Sequence, residues 1–178
     1  MTSWTRRNAR WLIACAVLLP LVTAVSFSDG WRAYRDTEWR VPYSASGADA
    51  ADFAGVRWSL LALSDESAQL GDQLPSASAL VVASFQLDGS TEALGRIQGC
   101  AVRLTDGSRF WGAPDYGDVT WDTDDGFGVG CGDTDGGEPR KVQVAFLVPA
   151  DAVPQLLEHG QVQVALADRL PEYVTLQP

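Results

Sequence analysis

The sequence predicts an all-β fold, an antiparallel β-sandwich preceded by one N-terminal transmembrane or signal helix. Three observations predict it. Trp11 to Phe27 is an uncharged run that follows Arg6, Arg7 and Arg10. From Phe53 onward, apolar residues recur at every second position in short segments, the period of a strand with one wet face and one core face. Between those segments no helical pattern exceeds about two turns, and evenly spaced short strands without helices argue for a sandwich.

Residues 1–10 form a basic N-terminus. Lys and Arg ahead of an apolar segment stay on the cytoplasmic side, so the bulk of the chain is expected outside. Residues 11–27 are the span. Seventeen residues rising about 1.5 Å each cover roughly 25 Å, short of a ~30 Å hydrocarbon core yet within the range of observed spans. Trp4 and Trp11 at one end, and Phe27 and Trp31 at the other, suit interfacial aromatic belts. A cleaved signal is the alternative: Pro20 breaks a helix, and Ala24-Val25-Ser26 offers a small-x-small site. A lipoprotein signal fits poorly, because only Trp11 to Ala14 separate Arg10 from Cys15, against an apolar region of about 7–15 residues. Arg6-Arg7 does not make a twin-arginine signal, since Asn8-Ala9-Arg10 follows it.

Residues 28–52 read as a juxtamembrane linker. Ser44-Ala45-Ser46-Gly47-Ala48 is small and flexible. Trp31, Tyr34 and Trp39 interleave with Arg32, Arg35 and Arg40, which suits either a membrane interface or a strand packed on the domain. Residues 53–178 are the expected extracytoplasmic domain, of a length that fits one core. Val56, Trp58 and Leu60 alternate with polar neighbours; Val81, Ala83, Phe85 and Leu87 share a face of the apolar run Leu80–Leu87. Cys100, Val102 and Leu104 lead to the hairpin signal Asp106-Gly107 and then Phe110-Trp111. Val142 to Val148, Val162 to Leu166 and Tyr173 to Leu176 complete the strands, and Pro154 limits the one helix candidate, Asp151–Glu158, to a turn near its start.

All 23 acidic residues lie after Phe27 with ten of the 13 basic ones, so the exported part carries a formal charge of −13. Such a charge repels nucleic-acid phosphates and anionic head groups, and it excludes nucleic acid as a partner class. Two of the three cysteines, Cys100 and Cys131, fall in the exported part. An even count in an oxidising compartment predicts a disulfide between them, closing a ~30-residue loop worth roughly 3–4 kcal/mol in the chain-entropy model.

Gly112 to Glu138 holds seven Asp and eight Gly and is expected to loop. Asp122, Asp124 and Asp125, or Asp133, Asp135 and Glu138, could offer oxygens to Ca²⁺, but neither run matches an EF-hand loop: in the first, Gly126 stands at the fifth position instead of the sixth. No metal site and no cofactor are therefore expected. Gly126-Phe127-Gly128-Val129-Gly130 opens no helix, as a dinucleotide fingerprint must. The single histidine, His159, stands before Gly160 at a turn, and no nucleophile–base constellation accompanies it. No catalytic residues are assigned. Trp111 and Trp121 flank the acidic loops beside Asp122 and Asp124, and exposed rings there could stack a sugar; packing into the core or rim is the ordinary fate of such residues.

Two stretches carry a resemblance: Cys100-Ala101-Val102-Arg103-Leu104-Thr105-Asp106-Gly107-Ser108-Arg109-Phe110-Trp111, and Ala145-Phe146-Leu147-Val148-Pro149-Ala150-Asp151-Ala152 with the closing Tyr173-Val174-Thr175-Leu176. Together they resemble the telokin-like, immunoglobulin-fold extracytoplasmic proteins of Gram-positive and actinobacterial envelopes, over roughly residues 53–178. The resemblance implies an Ig-like sandwich with no known catalytic residues. The expectation is a non-catalytic, membrane-anchored module that binds or scaffolds in the envelope, with the membrane and an envelope protein as partners. The alternative is a secreted sandwich binding calcium or carbohydrate at the Gly112–Glu138 loops.

Overall fold

The computed structural model describes residues 3–43, 49–97, 99–113, 121–123, 127–129 and 140–178. They divide into two units, Met1–Glu38 and Trp39–Pro178.

The first unit is a single helix, α1 (Ser3–Thr37), with Pro20 inside it. Sequence reading ended the apolar run at Phe27 and began a linker at Ser28. The helix instead runs ten residues further, and Ile13–Arg32 is long and apolar enough to cross a membrane. The extension has a local cause. Phe27 stacks on Trp31 one turn later, with ring centroids 6.2 Å apart, and Trp31 meets Tyr34 at 5.9 Å. Such pairs at i,i+4 and i,i+3 support a helix, and Arg35 in the last turn suits the negative end of the helix dipole.

The second unit is a pair of five-stranded sheets. The linker reading is corrected here too, because residues 41–42 and 50–53 are strands of these sheets. In chain order the strands are β1 (Val41–Pro42), β2 (Ala50–Phe53), β3 (Val56–Asp65), β4 (Ser78–Gly89), β5 (Cys100–Thr105), β6 (Phe110–Gly112), β7 (Gly128–Val129), β8 (Arg140–Pro149), β9 (Gln161–Leu166) and β10 (Glu172–Leu176). One sheet has the order β1-β10-β9-β5-β6 and the other β2-β3-β4-β8-β7. All pairings are antiparallel except β1 with β10 and β7 with β8.

The predicted alternation sets the core. Trp58, Phe85, Leu87, Leu104, Phe146, Val162, Val164, Val174 and Leu176 are all fully buried between the sheets. The β2–β3 hairpin turns on Ala54 and Gly55, both at positive φ (57° and 79°), the requirement of a type I′ turn. Register slips between Leu60 and Ala62, which leaves Leu61 exposed.

Strand β4 departs from simple alternation because it is covered on both faces. Its inner residues meet the main core. Its outer residues Leu80 and Val82 join Ala145 of β8 and Leu70 in a second cluster. Leu70 comes from a short helix, α2 (Ser67–Leu70), pinned where the Ser67 hydroxyl accepts the Leu80 N–H at 3.0 Å and donates to the Asp65 carboxylate. A continuous apolar run is the signature of a strand buried on two faces, which explains Leu80–Leu87. Two further helices cap the ends, α3 (Thr91–Arg96) and α4 (Val153–His159). In α3 the Ser90 side chain accepts the Ala93 N–H at 3.2 Å, a standard N-cap. Pro154 falls in the first turn of α4, where its missing N–H costs nothing, so the helix forms where the sequence reading allowed only a turn near its start.

Candidate functional site

The structure separates the residues that the sequence singled out. Trp111 lies on β6 opposite Leu104, so it points inward and packs, half-buried, against the main core. The Arg109 guanidinium covers it from 5.1 Å. Trp121 packs against the second cluster, on the far side of the other sheet. Its indole N–H is buried and has no hydrogen-bond partner among the described residues. Asp122 beside it is exposed, and Asp124 lies outside the described residues. Trp111 and Trp121 thus serve different packing clusters, and the rings are placed as core and rim residues are. Among the described residues no group of three His, Cys, Asp or Glu could hold a metal ion.

Cys100 opens β5, half-buried against the core. Cys131 lies outside the described residues, so the Cys100–Cys131 bond stands as an expectation. Intact mass of non-reduced, alkylated protein should show one alkylated thiol, Cys15, the free cysteine of α1. Three alkylated thiols would refute the bond.

The hairpin signal Asp106-Gly107 builds a turn closed by four hydrogen bonds to one carboxylate. Gly107 takes φ 91°, and the Asp106 carboxylate closes the turn. It accepts from the backbone N–H of Arg109 at 2.7 Å and of Ser108 at 2.8 Å, from the Ser108 hydroxyl at 2.8 Å and from Arg109 Nε at 2.8 Å. The backbone N–H groups of Arg109 and Ser108 are the main reason its pKa falls well below the usual carboxylate range. A depressed carboxylate stabilises the fold above its unfolded pKa, and the contribution fades as pH drops through the folded value. Asp106→Asn should therefore melt lower than wild type at pH 7. The gap should narrow only as pH falls below about 3.8, the ordinary value. Parallel melting curves from pH 7 to pH 2 would check it, and a gap independent of pH would contradict it.

One constellation was not assembled by sequence reasoning. On the outer face of the β1-β10-β9-β5-β6 sheet, Arg103 is flanked by rings. Its guanidinium carbon lies 4.3 Å from the Trp39 ring centre, 4.4 Å from Phe110 and 5.6 Å from Tyr173. Its Nε donates to Gln163 Oε1 at 2.6 Å, and the rings of Trp39 and Tyr173 meet at a 30° tilt with centroids 6.2 Å apart. Flat cationic and aromatic groups attract in this way, each contact worth about 0.5–2 kcal/mol. The sequence signal was the interleaving of Trp and Arg near Trp39, which left the strand-packed alternative open. For Trp39 that alternative holds.

At one end of the sandwich an open depression of about 290 Å³ is lined by Arg96, Ile97, Gly99, Leu166, Ala167 and Asp168. Arg96 already bonds Glu92 at 2.9 Å, an exposed pair one helical turn apart. Its walls suit no particular ligand chemistry.

No protein-family model and no curated protein matches the chain. Two solved structures resemble it. One is an uncharacterised β-sandwich protein of Clostridium difficile 630, 7% identical, with a TM-score of 0.40 over 79% of this chain and 95% of that one. The other is a candidate lipoprotein of Bacillus subtilis strain 168, 10% identical, with a TM-score of 0.39 over 75% of this chain and 39% of that one. At these values neither likeness carries an assignment, and the chain is described by what its own residues build: two β-sheets packed as a sandwich, preceded in sequence by a helix apolar enough to cross a membrane.

Proposed function

We propose that the chain is a non-catalytic, membrane-anchored extracytoplasmic module with an Ig-like sandwich, binding or scaffolding a protein partner in the cell envelope. The observation that carries this reading is the bare surface of α1. Trp11, Ile13, Leu19 and Phe27 are 74%, 65%, 67% and 70% exposed. Apolar area left in water costs roughly 25 cal/mol per Å², and a bilayer removes that cost for a whole helix at once. Arg6, Arg7 and Arg10 favour a cytoplasmic N-terminus, which puts the acidic sandwich outside.

The strand order supports the Ig-like part. Strands β3-β4-β8 neighbour one another as A-B-E do in an immunoglobulin domain, and β10-β9-β5-β6 as G-F-C-C′ do. The telokin-like resemblance points the same way. Three features depart from the antibody pattern. β2 is an additional edge strand, β7 runs parallel to β8, and the buried tryptophan, Trp58, sits on the first long strand instead of on C. The module reading is non-catalytic because its polar turns and buried pairs, such as Gln143 Nε2 donating to Ser84 Oγ at 3.0 Å, have structural work to do.

Fractionation tests the anchor. The full-length chain should stay in the membrane pellet after carbonate washing. Recovery from the medium as a chain beginning near Phe27 would replace the anchor with a cleaved signal and favour the secreted, ligand-binding alternative.

A further inference from the structure

We propose that α1 meets the outer leaflet through its Phe27–Trp31–Tyr34 stripe, with Trp31 at the hydrocarbon boundary and Asp29 on the hydrocarbon side of it. The proposal rests on the anchored reading given above and deepens it, because it names the lipid contact and its depth. Length carries it. The span expected from sequence ends at Phe27, and its seventeen residues cover only roughly 25 Å. The helix does not end there. It continues to Thr37, and its apolar window runs to Arg32. From Trp11 to Trp31 the chain climbs twenty residues at about 1.5 Å each, or roughly 30 Å, the thickness of the hydrocarbon core. No charged residue lies between Arg10 and Asp29. Trp11 and Trp31 are both exposed, and tryptophan is a residue that settles where hydrocarbon meets water.

Rings and charges divide the surface of these last turns. Phe27, Trp31 and Tyr34 are spaced four and three apart, so they share one face. Phe27 and Trp31 stack with their planes 13° apart, and Tyr34 continues the row. Asp29 and Arg32, both exposed, are three apart and lie on the other side of the helix. With Trp31 at the boundary, Asp29 stands about 3 Å inside it. An acid at that depth is costly unless its carboxylate leans outward to water or to a cation. Arg32 stands one turn nearer the head groups, at the spacing where two helix side chains are neighbours. Arg35, one turn further out, reaches the layer of lipid phosphates. The ring stripe of a second copy is the competing occupant.

The test uses the full-length chain in phosphatidylcholine/phosphatidylglycerol nanodiscs that hold one copy each. A water-soluble gadolinium chelate is added, and amide broadening is read along α1. Amides from Leu21 to Gly30 should keep their intensity, and Arg35 should lose it several-fold. In Trp31→Ser the edge of protection should retreat toward Phe27 and expose Asp29 and Gly30, with α1 still helical by its carbon shifts. Trp31→Tyr should hold the edge, since tyrosine also settles at the interface. Broadening that already begins at Ser28 in the wild type would overturn the proposal and leave the anchor standing, as would an edge that does not move in Trp31→Ser. Protection of Asp29 and Gly30 only in discs that hold two copies would assign the stripe to a second copy and also overturn it. Failure to co-elute with discs would remove the anchor itself, and this proposal with it.

Discussion

Trp58→Ala should lower the unfolding free energy of the sandwich by about 3–5 kcal/mol, the range for deleting a buried large aromatic side chain. Trp58 is 1% exposed near the start of β3, paired with Ala51 on one side and Leu87 on the other. Its indole N–H donates to the Phe53 carbonyl at 3.2 Å, so truncation also strands a buried acceptor. Against a domain stability of roughly 5–15 kcal/mol, the loss is a large share. Leu61→Ala is the matched control. Leu61 sits at the register slip and is 48% exposed, so its loss should stay within about 0.5 kcal/mol. Urea unfolding of both variants in detergent micelles would show the contrast, and similar midpoints for the two would contradict it.

Gly160→Ala is the second large effect. Gly160 joins α4 to β9, and its N–H donates to the Leu156 carbonyl at 2.8 Å. A Cβ built there falls 2.3 Å from that same oxygen, far inside any real contact. Relief would have to come from the backbone, yet Leu156 before the junction and Val162 after it are both fully buried. Overpacking of this kind costs about 1–3 kcal/mol and sometimes more. Gly95→Ala in α3, where nothing lies within 4 Å, should be neutral or stabilising by up to about 1 kcal/mol. Thermal melting of the two alanine variants side by side decides it, and a Gly160→Ala protein as stable as wild type would show that the junction can move.

The sandwich was legible because its inner faces alternate. Val142, Val144, Phe146 and Val148 are all buried as their period required, and Asp106-Gly107 forms the hairpin that its residues predict. The boundary of α1 was not legible. Gly30 and the charges Asp29, Arg32 and Arg35 resemble linker chemistry one residue at a time, while the stacking of Phe27, Trp31 and Tyr34 appears only once the helix exists. Short helices were missed for a related reason: α2 and α3 carry too few residues for a helical period to show. The candidate site fared differently. Trp111 and Trp121 are close in sequence, but strand parity sends Trp111 inward, while Trp121 reaches the opposite side of the other sheet. The stack around Arg103 joins residues from four separate stretches of chain, so only the sheet register brings it together.

Strand β4 is buried on both faces and bonded along both edges, to β3 over nine positions and to β8 over ten. That arrangement sets an order of events for a chain delivered N-terminus first. The β3–β4 hairpin is local and can close as soon as Gly89 is available. Its other edge must wait for β8, since the partner of Ser84 is Gln143, 59 residues later. Pairings of such long range slow folding, and until they form an unsatisfied apolar edge is exposed to other chains. The half-made sandwich is therefore the sticky species on this chain's folding route. Its hazard is greatest when synthesis pauses between Gly89 and Arg140, and slow synthesis of that stretch should raise aggregation more than slow synthesis of any segment after Pro149.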